Sequence, residues 1–152
     1  MKVVITQSML FPWVGLLEQM RLADIFVHYD DVQFSKGSFT NRVQVKTATG
    51  SHWMTVPLSD LKLGTVIDEL RTAPSAAWRD KHLALLAQSF KGAPHSQDAL
   101  TLAREVYADE HCSIGHLARA SMLALGNYFC LLRGKRVLDV RGLGIEIGRA
   151  HV

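Results

Sequence analysis

Cysteine is scarce in this chain: Cys112 and Cys130 are the only two. They form no Cys-x-x-Cys pair and are too few to staple a scaffold, so both are expected to be reduced and structural. Long apolar runs are missing too. None approaches the ~18 residues of a membrane span, and Val3-Val4-Ile5-Thr6, after Met1-Lys2, is too short for a signal-peptide core. A cytoplasmic protein without a membrane span is the expectation. Charge blocks are also absent: seventeen Lys and Arg against fourteen Asp and Glu give a formal +3, and the basic residues are scattered. A nucleic-acid partner calls for a stripe or cluster, so none is expected, and a weak preference for anionic small molecules is as far as charge goes. There is no Walker loop, no Gly-x-Gly-x-x-Gly, no internal repeat and no low-complexity tract.

What remains is an ordinary globular composition, 48% hydrophobic and 20% charged over 152 residues, which suits one domain with a real core. Lys2 to Thr6 reads as a short buried strand. Pro12 suits the first turn of a helix, and Val14, Leu17, Met20 and Leu22 give that helix a face. Ile25 to Tyr29 is a second buried strand. Strand, helix and strand in so few residues predict a βαβ unit with parallel strands and a right-handed crossover.

The period then changes. Val43, Val45 and Thr47 alternate with Arg42, Gln44 and Lys46, as in a half-exposed strand. Ala48-Thr49-Gly50-Ser51 turns the chain, and His52 to Pro57 resumes it with Trp53, Thr55 and Pro57 on one face, making a hairpin. Thr65 to Arg71 reads as a further strand. The second half is helical. Ser75 caps a helix carrying Trp78, Leu85, Leu86 and Phe90, closed by Gly92 and Pro94. Another runs from about Gln97 to Ala108. Ser113 caps the longest, whose stripe from Ile114 through Leu117, Ala118, Ser121, Leu125, Phe129 and Leu132 lasts until Gly134. Arg136 to Val140 is a last strand. The fold class expected is α/β: an amino-terminal βαβ unit with parallel strands plus a β-hairpin, followed by a helical half.

The termini carry a separate expectation. Ile147-Gly148-Arg149-Ala150-His151-Val152 is what one reading frame of a common short-read sequencing adapter encodes. One domain, incomplete, is therefore expected over residues 1–146, with 147–152 a non-native tail. A strand near a cut end predicts an exposed apolar patch around Leu138, Val140 and Leu143.

In a parallel βαβ unit ligands gather outside the carboxyl ends of the strands. There the sequence places Gln7-Ser8, Asp30-Asp31 and a helix N-terminus near Pro12-Trp13, with unpaired N–H groups and a positive dipole. Neighbouring strand residues face opposite ways, so one aspartate is expected in a site and the other as a turn or cap partner. The plainer alternative is two solvated turn aspartates. Lys36, Asn41, Arg42 and Lys46, interleaved with Phe34, Phe39 and Trp53, offer an anion clamp or a solvated hairpin face over an aromatic core. Glu110-His111-Cys112 with His116 fits no four-ligand zinc spacing and is not read as a metal site. The other histidines are dispersed singles, and no cofactor is assigned.

Ile5-Thr6-Gln7, Phe11-Pro12-Trp13-Val14-Gly15 and Ala23-Asp24-Ile25-Phe26-Val27, followed by Asp30-Asp31-Val32-Gln33-Phe34-Ser35-Lys36, Asn41-Arg42, Lys46 and Trp53-Met54-Thr55-Val56-Pro57, together resemble the opening of WbqC-like proteins. Trp78 with Lys81 and Ala93-Pro94 are similar to weaker landmarks further on. Members commonly have proline where this chain has Ser8, a departure expected to loosen the turn after the first strand. The resemblance implies a role in bacterial surface-polysaccharide biosynthesis, by aminoacyl or acyl transfer to an amino sugar. It also implies further chain beyond this one, without which the fragment would be inactive. On that reading Asp31 and Gln7 are the catalytic candidates, with Asp31 holding or deprotonating an attacking amine. Lys36, Asn41, Arg42, Trp13 and Asp30 bind a small-molecule substrate, and Arg42 and Lys36 take the phosphate of a nucleotide sugar. A weaker likeness to nucleotidylyltransferases suggests nucleotide binding, although Phe11 to Gly15 holds none of the histidines those enzymes use. A non-catalytic carbohydrate- or protein-binding module, stacking on Trp13, Trp53 and Trp78, is the alternative of another class.

Overall fold

The computed structural model describes residues 1–74, 77–110 and 113–143. The Ser75 cap, His111 and Cys112 of the rejected metal cluster, and the 147–152 tail lie outside the described residues. A three-stranded parallel sheet organises the chain, built from β1 (Val3–Thr6), β2 (Ile25–His28) and β5 (Arg136–Asp139) in the order β1-β2-β5. The register pairs Val4 with Phe26 and Phe26 with Val137, then Thr6 with His28 and His28 with Asp139. Helix α1 (Val14–Leu22) makes the first crossover, as its apolar spacing requires.

A chain that keeps adding parallel strands on the same side, with right-handed crossovers, leaves its helices on one face. That is what happens here. Phe26 and Val4 pack with Leu16 and Met20 of α1 and with Met122 of α4 (Ile114–Tyr128) in one apolar cluster. The other face is open along β1, where Val3 and Ile5 are 47% and 52% exposed, although Val27 in the central strand is buried. Parallel sheets are ordinarily covered on both sides. Replacing Val3 and Ile5 together by threonine keeps β-branching while removing apolar surface. The double variant is expected to shift stability by no more than ~0.5 kcal/mol per site and to scatter less light at high protein concentration. A large fall in Tm would mean that this face is covered in solution.

The apolar patch expected at the carboxyl end is not where the sequence put it. Val140 is 2% exposed, because the chain after β5 coils into a 3-10 turn over Val140–Leu143 that folds it inward. Leu138 and Leu143 are half-buried.

Strands β3 (Arg42–Thr47) and β4 (Gly50–Thr55) form the antiparallel hairpin, with Thr47 paired to Gly50 across a tight turn. Its inner face is Val43, Val45 and Met54, continued by Val56, rather than Trp53, Thr55 and Pro57. The register sets Met54 opposite Val43, so alternation turns Trp53 outward. The segment expected as a strand over Thr65 to Arg71 touches Gln33 through a single bridge at Val66. It then tightens into a 3-10 turn at Ile67–Glu69.

Helices α2 (Ala77–Ser89) and α3 (Ser96–Ala108) pack with α4 over the hairpin. Ser113 caps α4 as expected, its hydroxyl accepting from His116 N–H at 3.2 Å. The helix stops at Tyr128, earlier than its apolar stripe, where Cys130 takes a left-handed φ of 56°. Among the described residues no helix is long and apolar enough to cross a membrane.

Candidate functional site

The carboxyl ends of the three strands do converge, on residues that the sequence singled out only in part. Asp30, wholly buried two residues past the end of β2, receives the Ser8 backbone N–H at 2.7 Å and the Ser8 hydroxyl at 2.6 Å. Ser8 therefore ties the turn after β1 to β2. This reverses the expectation that serine would loosen the turn, since a proline there could donate neither bond.

Those contacts fix the tautomer of His28. The Ser8 hydroxyl has one proton and gives it to the carboxylate. Its 2.9 Å contact with His28 Nδ1 must then be donated by the imidazole. His28 Nε2 is left as a bare lone pair, buried and, among the described residues, without a hydrogen-bond partner. Burial, aided by the Arg119 charge and opposed by Asp30 and Asp139, lowers the His28 pKa to about 4. The ring is neutral at physiological pH.

Arg119 joins the rest. From α4 it donates through Nη2 to Asp30 at 2.8 Å and to both Asp68 oxygens at 3.1 and 3.3 Å, and through Nη1 to Asp139. One guanidinium thus spans the ends of β2 and β5 and the 3-10 turn, and its Nε is buried with no hydrogen-bond partner among the described residues. Arg141 adds a second, looser cation, 3.5 Å from Asp68 and 3.6 Å from Glu69. Four carboxylates, Asp30, Asp68, Asp139 and Glu69, face two guanidiniums, so the edge is acidic. Asp68 carries the strain: burial raises its pKa, with the Asp30 and Asp139 charges adding to this, against Arg119 and Arg141. Gly115 makes the approach of α4 possible, since a Cβ there would collide with the Asp68 carboxylate.

The other candidate residues make contacts of their own. Asp31 is half-buried, and its Oδ1 is enclosed without a hydrogen-bond partner among the described residues. Gln7 is half-buried at the end of β1. Asn41 is 8% exposed and donates to the Val56 carbonyl at 3.0 Å, a bond that closes the hairpin base. Arg42 stacks on Trp53, 4.1 Å from ring centre to guanidinium carbon, and donates to the Gly37 carbonyl. Lys36 is exposed. Trp13 precedes α1, 63% exposed as a residue, with its ring folded over Gly15, where a Cβ would strike it. Among the described residues no hydrogen bond or ion pair joins Gln7, Lys36, Asn41, Arg42 or Trp13 to the Asp30 cluster.

A second buried histidine shows the contrast. His82 in α2 donates through Nε2 to the Thr55 carbonyl at 3.1 Å and meets the Tyr107 hydroxyl through Nδ1 at 3.0 Å. Both nitrogens are satisfied, and Trp78 packs on the pair. This is core structure. Among the described residues, no group of three or more His, Cys, Asp or Glu is arranged to hold a metal ion.

The family model of WbqC-like proteins matches residues 7–137, most of the chain. The chain belongs to the WbqC-like protein family. A WbqC-like relative is the uncharacterized protein Rv1507c of Mycobacterium tuberculosis, 29% identical over 130 residues, 84% of this chain and 55% of the relative. The chain thus spans about half the length of the curated relative it matches. No solved structure matches. The WbqC-like match takes in Ser8, His28, Asp30, Asp68 and Arg119, while Asp139 lies just past its end.

Proposed function

We propose that this WbqC-like protein is a transferase of bacterial surface-polysaccharide biosynthesis that moves an acyl or aminoacyl group onto an amino sugar. The acceptor amine would sit at the acidic sheet edge. One observation carries this reading: four carboxylates outnumber the two guanidiniums there, while among the described residues His28 Nε2 and Asp31 Oδ1 stay buried without hydrogen-bond partners. Buried acceptors left unpaired call for a donor, and an ammonium or amine supplies donors together with the missing positive charge. Asp31 takes the proton that the amine must lose before it attacks. Arg42 and Lys36 remain the proposed holders of a nucleotide-sugar phosphate. Arg42 keeps N–H groups beyond the one given to Gly37.

The test compares a nucleotide-linked amino sugar with its N-acetylated counterpart in thermal unfolding. The amine form is expected to stabilise the protein by about 2.7 kcal/mol at a hundredfold excess over Kd, the acetylated form by much less. Asp31→Asn is expected to abolish the difference. Equal protection by both sugars, or none, would remove the amine from this edge.

A binding module is the second reading, favoured by the aromatic surface. Trp53 is 43% exposed and Trp13 63%, and Phe39 lies 5.7 Å from the Trp53 ring. Exposed rings of this kind suit stacking on sugars. Trp78, by contrast, is 7% exposed and belongs to the core.

A further inference from the structure

A cavity of about 340 Å³ lies between the hairpin and helices α2, α3 and α4. Val45 and Met54 floor it, Leu86 and Leu102 wall it, and Tyr128 and Phe129 stand at its mouth. Phe129 is 53% exposed. Phe129 belongs to the apolar stripe of α4 yet falls just beyond the helix end. The last turn of α4 thus holds an aromatic pair over the opening.

The lining decides what can enter. A sugar or nucleotide would trade hydrogen bonds to water for aliphatic walls and lose several kcal/mol per unpaired group. A hydrocarbon tail loses nothing on entry and removes apolar wall from water. Polar groups occur only at the rim. Asp98 there is already engaged, accepting from the Tyr128 hydroxyl at 2.6 Å with His95 at 3.5 Å. Lys46 also borders the cavity, and among the described residues its ammonium has no hydrogen-bond or ion-pair partner. Among the described residues Lys46 is therefore a cation at the mouth with no partner of its own, whereas the Asp98 carboxylate is already hydrogen-bonded.

We infer that this cavity binds the hydrocarbon tail of a medium-chain carboxylate, with Lys46 pairing the anionic head. The site is separate from the acidic sheet edge and does not depend on the acceptor assigned there. Its rim and its wall can be tested independently. Ala99 lines the cavity from α3 and is only half-buried, so Ala99→Trp fills the space from the side. Lys46→Glu reverses the charge on an exposed strand position.

Octanoate and 1-octanol would be titrated calorimetrically into the intact chain, below the concentrations at which either aggregates. Saturable binding of one octanoate per chain is expected, weakened at least tenfold by Ala99→Trp in protein whose circular dichroism is unchanged. Lys46→Glu is expected to weaken octanoate at least threefold and leave octanol unaltered. Absence of saturable binding overturns the inference and leaves the cavity to a protein partner. So does octanoate binding that Ala99→Trp leaves intact. Should Ala99→Trp fail to fold, the octanoate-to-octanol ratio in Lys46→Glu decides: an unchanged ratio overturns the assignment.

Discussion

Arg119→Met is expected to cost about 3–5 kcal/mol of folding stability at neutral pH, the usual penalty for stripping a buried ion cluster of one partner. The methionine replaces the volume of the side chain but none of its charge. Asp30, wholly buried, and Asp68, 7% exposed, would then face each other and Asp139 without the cation that holds them together. A protein stable by ~5–15 kcal/mol would lose a large share of its margin. Arg119→Lys should fall between the two, because an ammonium is a point charge and cannot fork across three carboxylates. Urea unfolding reads both. Adding Asp68→Asn to the methionine variant should recover part of the loss, since one unpaired charge disappears. A loss under about 1 kcal/mol in Arg119→Met, in the range of exposed pairs, would mean that solvent reaches the cluster and that it does not organise the sheet edge.

Acid should weaken the protein as pH falls below about 6.5. His28 has a folded pKa of about 4, against 6.5 as its ordinary value. Between those values the unfolded chain binds a proton that the folded protein refuses. Stability is therefore complete above about pH 6.5 and is lost as pH falls toward 4, by up to ~1.4 kcal/mol per unit and about 3 kcal/mol in total. His82, lowered by burial although its bond to Thr55 works the other way, adds to the loss with the same sign. Asp68 opposes it: its raised pKa means that protonation at the acid end relieves a penalty. Tm measured from pH 7.5 to 4.5 should show a decline that is shallower in His28→Asn. The asparagine amide can still donate to Ser8 but does not titrate. Matching declines in the two proteins would show that His28 is not the group responsible.

The parallel βαβ unit was legible because two β-branched runs flank a short amphipathic segment, and only one connection joins such strands in so few residues. The hairpin was legible from alternation at Val43 and Val45, yet its second strand was turned inside out. Trp53 is large and apolar, and size outweighed the register that Met54 and Val56 set. The acidic edge was half legible. Asp30-Asp31 stood out at a strand end, but adjacency says nothing about which carboxylate is buried. Ser8 looked like a defect because its two bonds reach a residue twenty-two positions away.

Arg119 was missed, although a signal existed. It sits four residues after Gly115 and three before Met122, on the buried face of α4, where a charge must find partners. Asp68 was hidden differently, inside a segment whose apolar residues read as a strand. Their partners lie 51 and 89 residues apart in the chain, beyond the reach of any local pattern.

Those separations also have a consequence in time. The central strand of the sheet is made early and its neighbour β5 only about 110 residues later, which at ~5–20 residues per second is a wait of roughly 5–20 s on the ribosome. Until α4 is made, Asp30 has Ser8 beside it but no Arg119 counter-charge, and Phe26 has α1 on one flank but not Met122. The nascent chain must carry an ionised carboxylate next to a half-built apolar layer until α4 emerges. Ser8 and His28 are local enough to arrive with Asp30 and shelter it meanwhile. On this view the hydroxyl and the imidazole act first as temporary escorts during synthesis, and only later as neighbours of a completed site.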